Sequence, residues 1–157
     1  MNQQLNPMIK IHKFMFLAHK MLDKELSRVC NISFSQFRIV VTVLHHPGIS
    51  QRQIADFEEL TEAAVSRHIS GLSSKGYILL VPNTKNKKQH ILELTEYGKV
   101  MCTRALVVVE EKGEALLSAL SVSEQKTISN SFDTLIDKVR GDSKIVFDRP
   151  IPALSYD

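Results

Sequence analysis

At Gly76 the apolar residues of this 157-residue chain change their spacing. Before that point they recur at helical intervals. After it, Tyr77-Ile78-Leu79-Leu80-Val81 and His90-Ile91-Leu92-Glu93-Leu94 read as two strands, with a polar, turn-rich stretch from Asn83 to Gln89 between them. An antiparallel hairpin set into an otherwise helical sequence restricts the fold class sharply. It predicts a mainly α protein with a small β-hairpin, helices on both sides, and no second sheet to pack against.

The helical segments divide into short and long. From about Asn6 to Val29 the residues Met8, Ile11, Phe14, Met15, Ala18, Met21, Leu22, Leu26 and Val29 form one amphipathic stripe. Ser35 opens a second helix with Phe37, Val40, Val41 and Leu44 as its inner face, and Pro47-Gly48 stops it. Ser50 with Gln53 is a capping box for a third helix ending near Glu59. Thr61 caps a fourth, whose inner face is Ala64, Val65, Ile69 and Leu72, and Gly76 supplies its left-handed stop. Beyond the hairpin, Thr95 caps a long helix to about Leu120, apolar around Leu106, Val107, Val109, Leu116 and Leu117. Ser121 and Glu124 cap a last one, with Ile128, Phe132, Leu135, Ile136 and Val139 in a stripe. Four regions follow: a helical arm over 1–33, a compact head over 34–98, paired helices over 99–141 and an apolar tail over 142–157. Long amphipathic helices form a poor globule by themselves, so the ends read as a dimerising base for the head.

Charge is distributed to match. Residues 61–94 hold five Lys/Arg against two acids, a net +3 equal to that of the whole chain, whereas residues 95–157 hold eight against ten. Positive charge gathered in one short segment is what a surface meeting phosphates needs. The two cysteines, Cys30 and Cys102, are far apart in sequence, which excludes a disulfide framework and fits a reducing cytoplasm. The N-terminus lacks a secretion pattern, and no apolar run is long enough to span a membrane. The expectation is a cytoplasmic protein with no membrane partner.

Within residues 50–77 the third and fourth helices have helix-turn-helix logic. Ile54 and Ala55 would pack on Val65, Ile69 and Leu72, leaving Ala63, Ser66, Arg67 and Ser70 facing outward. Small residues let a helix sit deep in a major groove about 12 Å wide. Arg67 can make a bidentate contact to guanine or clamp a phosphate, and Ser66 can meet a base edge or a phosphate. Glu62 is awkward beside DNA. The hairpin tip carries Lys85, Lys87 and Lys88 and no acid, so it suits the backbone and an A·T-rich minor groove. Lysine here favours point-charge phosphate contacts over base reading.

These residues resemble the MarR family of winged helix-turn-helix transcriptional regulators. The resemblance runs through SQFRIVVTVLHHPGISQRQIA, VSRHISGLSSKGYI and LTEYG, with Gln36, Phe37, Pro47, Gly48, Gln51, Val65, Ser66, Arg67, Lys75, Gly76, Leu94, Thr95 and Gly98 in register. At the wing tip the family's Asp-x-Arg pattern is replaced by Asn86 and Lys88, which implies a weaker, more salt-sensitive contact. The resemblance implies a homodimer with intertwined terminal helices, and double-stranded DNA bound through Gln51, Ala63, Ser66, Arg67, Ser70, Lys85, Lys87 and Lys88. It also implies a ligand- or stress-responsive repressor on a pseudo-palindromic operator, with half-sites about one helical turn apart.

Other chemistry has thinner support. A small aromatic or anionic effector could use His12, Phe16, His19 and Phe37, with Arg38 pairing its carboxylate; core packing and a surface arginine account for the same residues. Cys30 near Arg28 could sense oxidants, or both cysteines are apolar fillers. The six histidines form no metal-binding pattern, no cofactor motif is present, and no phosphate loop, nucleophile elbow or carboxylate pair indicates an enzyme. A helical adaptor binding protein through the hairpin remains the alternative to a regulator. It would bind without the steep salt dependence of a DNA contact.

Overall fold

The structure is a computed structural model that describes residues 6–83 and 90–142, with side chains through Val139. Its order is α1 (Pro7–Cys30), α2 (Phe34–His45), α3 (Gln51–Glu58), α4 (Glu62–Ser74), β1 (Ile78–Pro82), β2 (His90–Leu94), α5 (Glu96–Leu117) and α6 (Val122–Asp142). Contacts divide it into two compact units, residues 1–113 and 114–157. This is the mainly helical, hairpin-bearing architecture that the change of spacing predicts.

Each boundary has a local cause. Asn6 accepts a hydrogen bond from the Met8 amide, and Pro7 occupies the first turn of α1, where its missing N–H costs nothing. The start of α2 differs from the sequence expectation: the cap is Ser33, not Ser35. Ser33 is extended, its hydroxyl accepts from the Gln36 amide, and the Gln36 side chain accepts from the Ser33 amide. Asp23 of α1 adds a third acceptor, taking the Phe34 amide at 2.8 Å. The Ser50–Gln53 box and the Thr61 cap stand where the sequence puts them. Gly76 follows α4 at φ +75°, in the left-handed region.

The hairpin pairs in register from Ile78↔Leu94 to Pro82↔His90. The Gly48–Ser50 stub joins it: Gly48 donates to the Leu92 carbonyl at 3.2 Å, and the Leu92 amide donates to Ile49 at 2.9 Å. The stub ties the turn before α3 to the wing.

The core of residues 1–113 gathers Leu26, Ile32, Ile39, Ile54, Ile69, Leu72, Ile78 and Leu92. Two helices bury faces other than those expected. In α2, Ile39, Thr42 and Val43 join Phe37 and Val40, while Val41 and Leu44 are half-buried. The helix touches α1, α3, α4 and β2, so no single stripe describes it. In α5 the buried face is Gly98, Met101, Cys102, Ala105 and Val108, whereas Val107, Leu116 and Leu117 are exposed. At Gly98 the helix backbone comes close to Tyr77, at the entry to the wing.

Polar groups lock α2 to α3. The buried Glu58 carboxylate at the end of α3 accepts from Thr42 Oγ1 at 2.7 Å and pairs with Arg38, both on α2. In the second unit, Glu124 accepts from the Ser121 amide and hydroxyl, the capping box expected for α6. Gln125 donates to the carbonyls of Leu117 and Leu120, satisfying the end of α5. No helix is long and apolar enough to cross a membrane among the described residues.

Candidate nucleic-acid interface

Helices α3 and α4 pack through Ile54, Ala55, Val65, Ile69 and Leu72, all buried, as the spacing predicts. Gly71 permits a close approach behind them: a Cβ there would lie 2.9 Å from Gln36 Nε2 of α2. With its inner face so held, α4 exposes Ala63, Ser66, Arg67 and Ser70. Gln51, the first residue of α3, is half-buried. It lines a groove of about 410 Å³ with Ser66, Ile69, Ser70, Ser73, Ser74 and Leu80.

The structure therefore brings Gln51, Ser66 and Ser70 to one groove, while Ala63 and Arg67 lie exposed on the same helix outside its lining. Ser73, Ser74 and Leu80 also line it and were not singled out from the sequence. The helical spacing of Ser66, Ser70, Ser73 and Ser74 was the available signal. Hydroxyls and one amide over an apolar floor of Ile69 and Leu80 can donate, accept or touch a methyl group, the set of contacts base edges require. Glu62 sits in the first turn of α4, where a carboxylate meets the positive end of the helix dipole. The expected wing contacts Lys85, Lys87 and Lys88 lie outside the described residues, as does the tail over 143–157.

Lys75 is already engaged: its ammonium donates to the Asn31 carbonyl at the end of α1. Thr95 explains the Leu-Thr-x-x-Gly run. Its hydroxyl donates to Gly76 O at 2.7 Å and accepts from the Gly98 amide at 2.8 Å, joining the end of α4 to the start of α5.

The residues considered for an effector are distributed over three places. His19 meets Phe34 edge-on at 4.7 Å between centroids, and Phe34 stacks on Phe37 at 6.0 Å, so two of the set share an aromatic row. His12 and Phe16 lie on an open surface made by α1 alone, with Lys20 over the Phe16 ring. Arg38 faces Glu58, so its guanidinium already has a carboxylate.

The redox reading of Cys30 loses its electrostatic basis. Arg28 pairs with Glu25 at 2.8 Å. Burial pushes the Cys30 thiol up despite the opposing charge of Arg104, and pushes Cys102 up to about 11. Thiols held protonated are poor nucleophiles. Among the described residues no cluster of His, Cys, Asp or Glu could hold a metal ion.

Two short helices meeting around buried aliphatic residues, with the exposed face of the second beside an antiparallel hairpin, define a winged helix-turn-helix protein. The family model for MarR matches residues 32–90. The chain is similar to YybA, a helix-turn-helix-type transcriptional regulator of Bacillus subtilis, at 29% identity over 127 residues, 76% of this chain and 82% of that one. Its fold is similar to that of a cysteine-to-serine variant of MarR from E. coli, with a TM-score of 0.79 and 20% identity over 86% of this chain and 99% of that one. It is similar also to MepR, a transcription regulator of the Staphylococcus aureus multidrug efflux pump MepA, with a TM-score of 0.74 and 18% identity over 86% and 99% of the two chains. Residues 32–90 thus match a MarR-family domain, and the fold around them is that of a winged helix-turn-helix protein.

Proposed function

We propose that this protein is a cytoplasmic, sequence-specific DNA-binding repressor that holds a pseudo-palindromic operator as a homodimer. The observation that carries the reading is the outward face of α4. It exposes Ala63, Ser66, Arg67 and Ser70, with Gln51 beside two of them in an uncharged, hydroxyl-lined groove. Arg67 and Gln51 are the bidentate readers, suited to guanine and adenine respectively. The serines let the helix approach closely, and Lys85, Lys87 and Lys88 add phosphate contacts from the wing.

Dimerisation is supported by unburied apolar surface. Met8, Phe14, Met15, Phe16 and Leu17 of α1 are each more than half exposed. In the second unit Phe132, Leu135, Ile136 and Val139 of α6 are exposed as well. A second copy covering these faces would present two recognition helices on a two-fold axis, as a palindrome requires. A small effector has less support, because Arg38 is paired with Glu58.

The test is anisotropy binding to a random duplex pool, enriched over rounds and repeated across salt. The expected outcome is an enriched inverted repeat bound with a steep salt dependence, and about 10-fold or greater loss for Arg67→Ala. No enrichment, with Arg67→Ala indistinguishable from the parent, sinks the regulator and leaves the protein-binding adaptor.

A further inference from the structure

We infer that Lys75 and Tyr77 are positioning residues that fix the angle between α1 and the recognition helix, and that Lys75 is therefore not a phosphate contact. The inference rests on the DNA-binding reading of α4 and concerns how that helix is aimed.

The last carbonyls of a helix have no partner within it. At the end of α1, Asn31 turns left-handed at φ 54°, and its amide returns to the Leu26 and Ser27 carbonyls. Two later carbonyls, of Cys30 and Asn31, are taken by side chains distant in sequence. Tyr77 donates its buried hydroxyl to Cys30 O at 3.2 Å, and Lys75 donates its ammonium to Asn31 O. A cation there also meets the negative end of the α1 dipole.

Both donors belong to one rigid corner. Lys75 is the C-cap of α4, and Tyr77 enters the wing. Tyr77 is held at both backbone groups: its amide donates to Leu72 O at 3.0 Å, and its carbonyl accepts from the Thr95 amide at 3.1 Å. The corner cannot turn relative to α4 without breaking these bonds. Two side chains thus couple the end of the recognition helix to the end of a 24-residue helix, about 36 Å long, whose far half is exposed and apolar. A tilt of that arm about its C-terminal end would be carried to α4. In a dimer, that tilt sets the distance between recognition helices.

The salt dependence of binding separates a strut from a phosphate contact. Each lost phosphate contact lowers the slope of log affinity against log salt by about 0.9. Lys75→Met is expected to weaken binding to the enriched operator about 10-fold, the worth of one charge-assisted hydrogen bond, with the slope unchanged. Lys75→Arg, which keeps a donor, should restore most of the loss, and the preferred half-site spacing should broaden in Lys75→Met and in Tyr77→Phe. Hydrogen exchange of the intact protein without DNA should speed up over residues 26–33 in both variants and stay unchanged over 65–72. A slope that falls with Lys75→Met overturns the inference, and so does unaltered exchange over 26–33. If Lys75→Met does not fold, Tyr77→Phe, which removes one oxygen, decides by the same exchange and spacing measurements. If the parent protein selects no DNA sequence, the regulator reading fails separately, and exchange alone decides the strut.

Discussion

The two ends of α1 are made from similar residues and have opposite fates. Toward the C-terminus Leu26 and Cys30 are buried, and Ile32 just beyond them is 1% exposed. Toward the N-terminus Met8 is 66% exposed and Met15 63%. The same division runs through α5, where Met101, Cys102, Ala105 and Val108 are buried and Leu116 and Leu117 are not. The contrast teaches that a helical stripe reports which side of a helix must be covered, and nothing about what covers it. In the head, other elements of the same chain supply the cover. In the arms the described residues of each unit leave that side exposed, which is why apolar content alone does not distinguish the two.

The comparison breaks most easily at Gly98, where the head is tightest. A Cβ at this position would lie 2.0 Å from the Tyr77 carbonyl oxygen and 2.9 Å from its carbon, both backbone atoms that cannot swing aside. Gly98→Ala must therefore push α5 from the wing and stretch the bonds of Thr95 to Gly76 and Gly98. The expected loss is about 3 kcal/mol or more, read from the urea midpoint. A loss below about 1 kcal/mol would mean that the head is no more closely jointed than the arms.

The buried thiols give a second, smaller contrast. Burial raises Cys102 from 9.0 to about 11, with Cys30 adding to the effect. The fold thus keeps a proton that the unfolded chain gives up once the pH exceeds about 9. Stability from the head should be level with respect to this group below pH 9 and fall as the pH rises toward 11, by about 1.4 kcal/mol per unit at most. The check is a set of urea midpoints across that range, with Cys102→Ala as the control that flattens the decline. Equal declines in parent and control would place the thiol in a solvated site and weaken the distinction between head and arm.

Much of this division was legible in the sequence, unequally by region. Ser50, Gln53, Thr61, Gly76, Ser121 and Glu124 announce their caps because capping is decided within a few residues. The outward residues of α4 were found because both flanking faces are simple: an aliphatic stripe opposite small polar side chains. The inner face of α5 was missed because Gly98, Cys102 and Ala105 carry little apolar signal beside Met101 and Val108, while larger aliphatic residues lay outside. The Ser33 cap is also local, a box with Gln36, and was missed because Ser35, two residues on, is an equally suitable starting residue. Arg38 was legible as a carboxylate partner, but Glu58, the carboxylate it meets, is 20 residues away and was not singled out. Lys75 counted as surface charge for the same reason: its acceptor is 44 residues distant. Local chemistry could be read directly; long-range pairing could not.

The smallest effect sharpens the comparison most, because it uses the same substitution on the same helix. Gly113 lies near the other end of α5, and a Cβ there would meet nothing within 4 Å among the described residues. Gly113→Ala therefore creates no clash among the described residues and removes backbone freedom that a helix must freeze. The isolated chain should gain about 0.5–1 kcal/mol, opposite in sign to Gly98→Ala. The measurement is the urea midpoint at several protein concentrations. A gain at every concentration means that this part of α5 stays open in the assembled protein. A loss that grows with concentration means that another copy's surface lies against Gly113, where the glycine gives room for close packing. Such a loss would carry the proposed dimer contact into α5, and the arm would then be under the same steric control as the head, imposed by a second molecule.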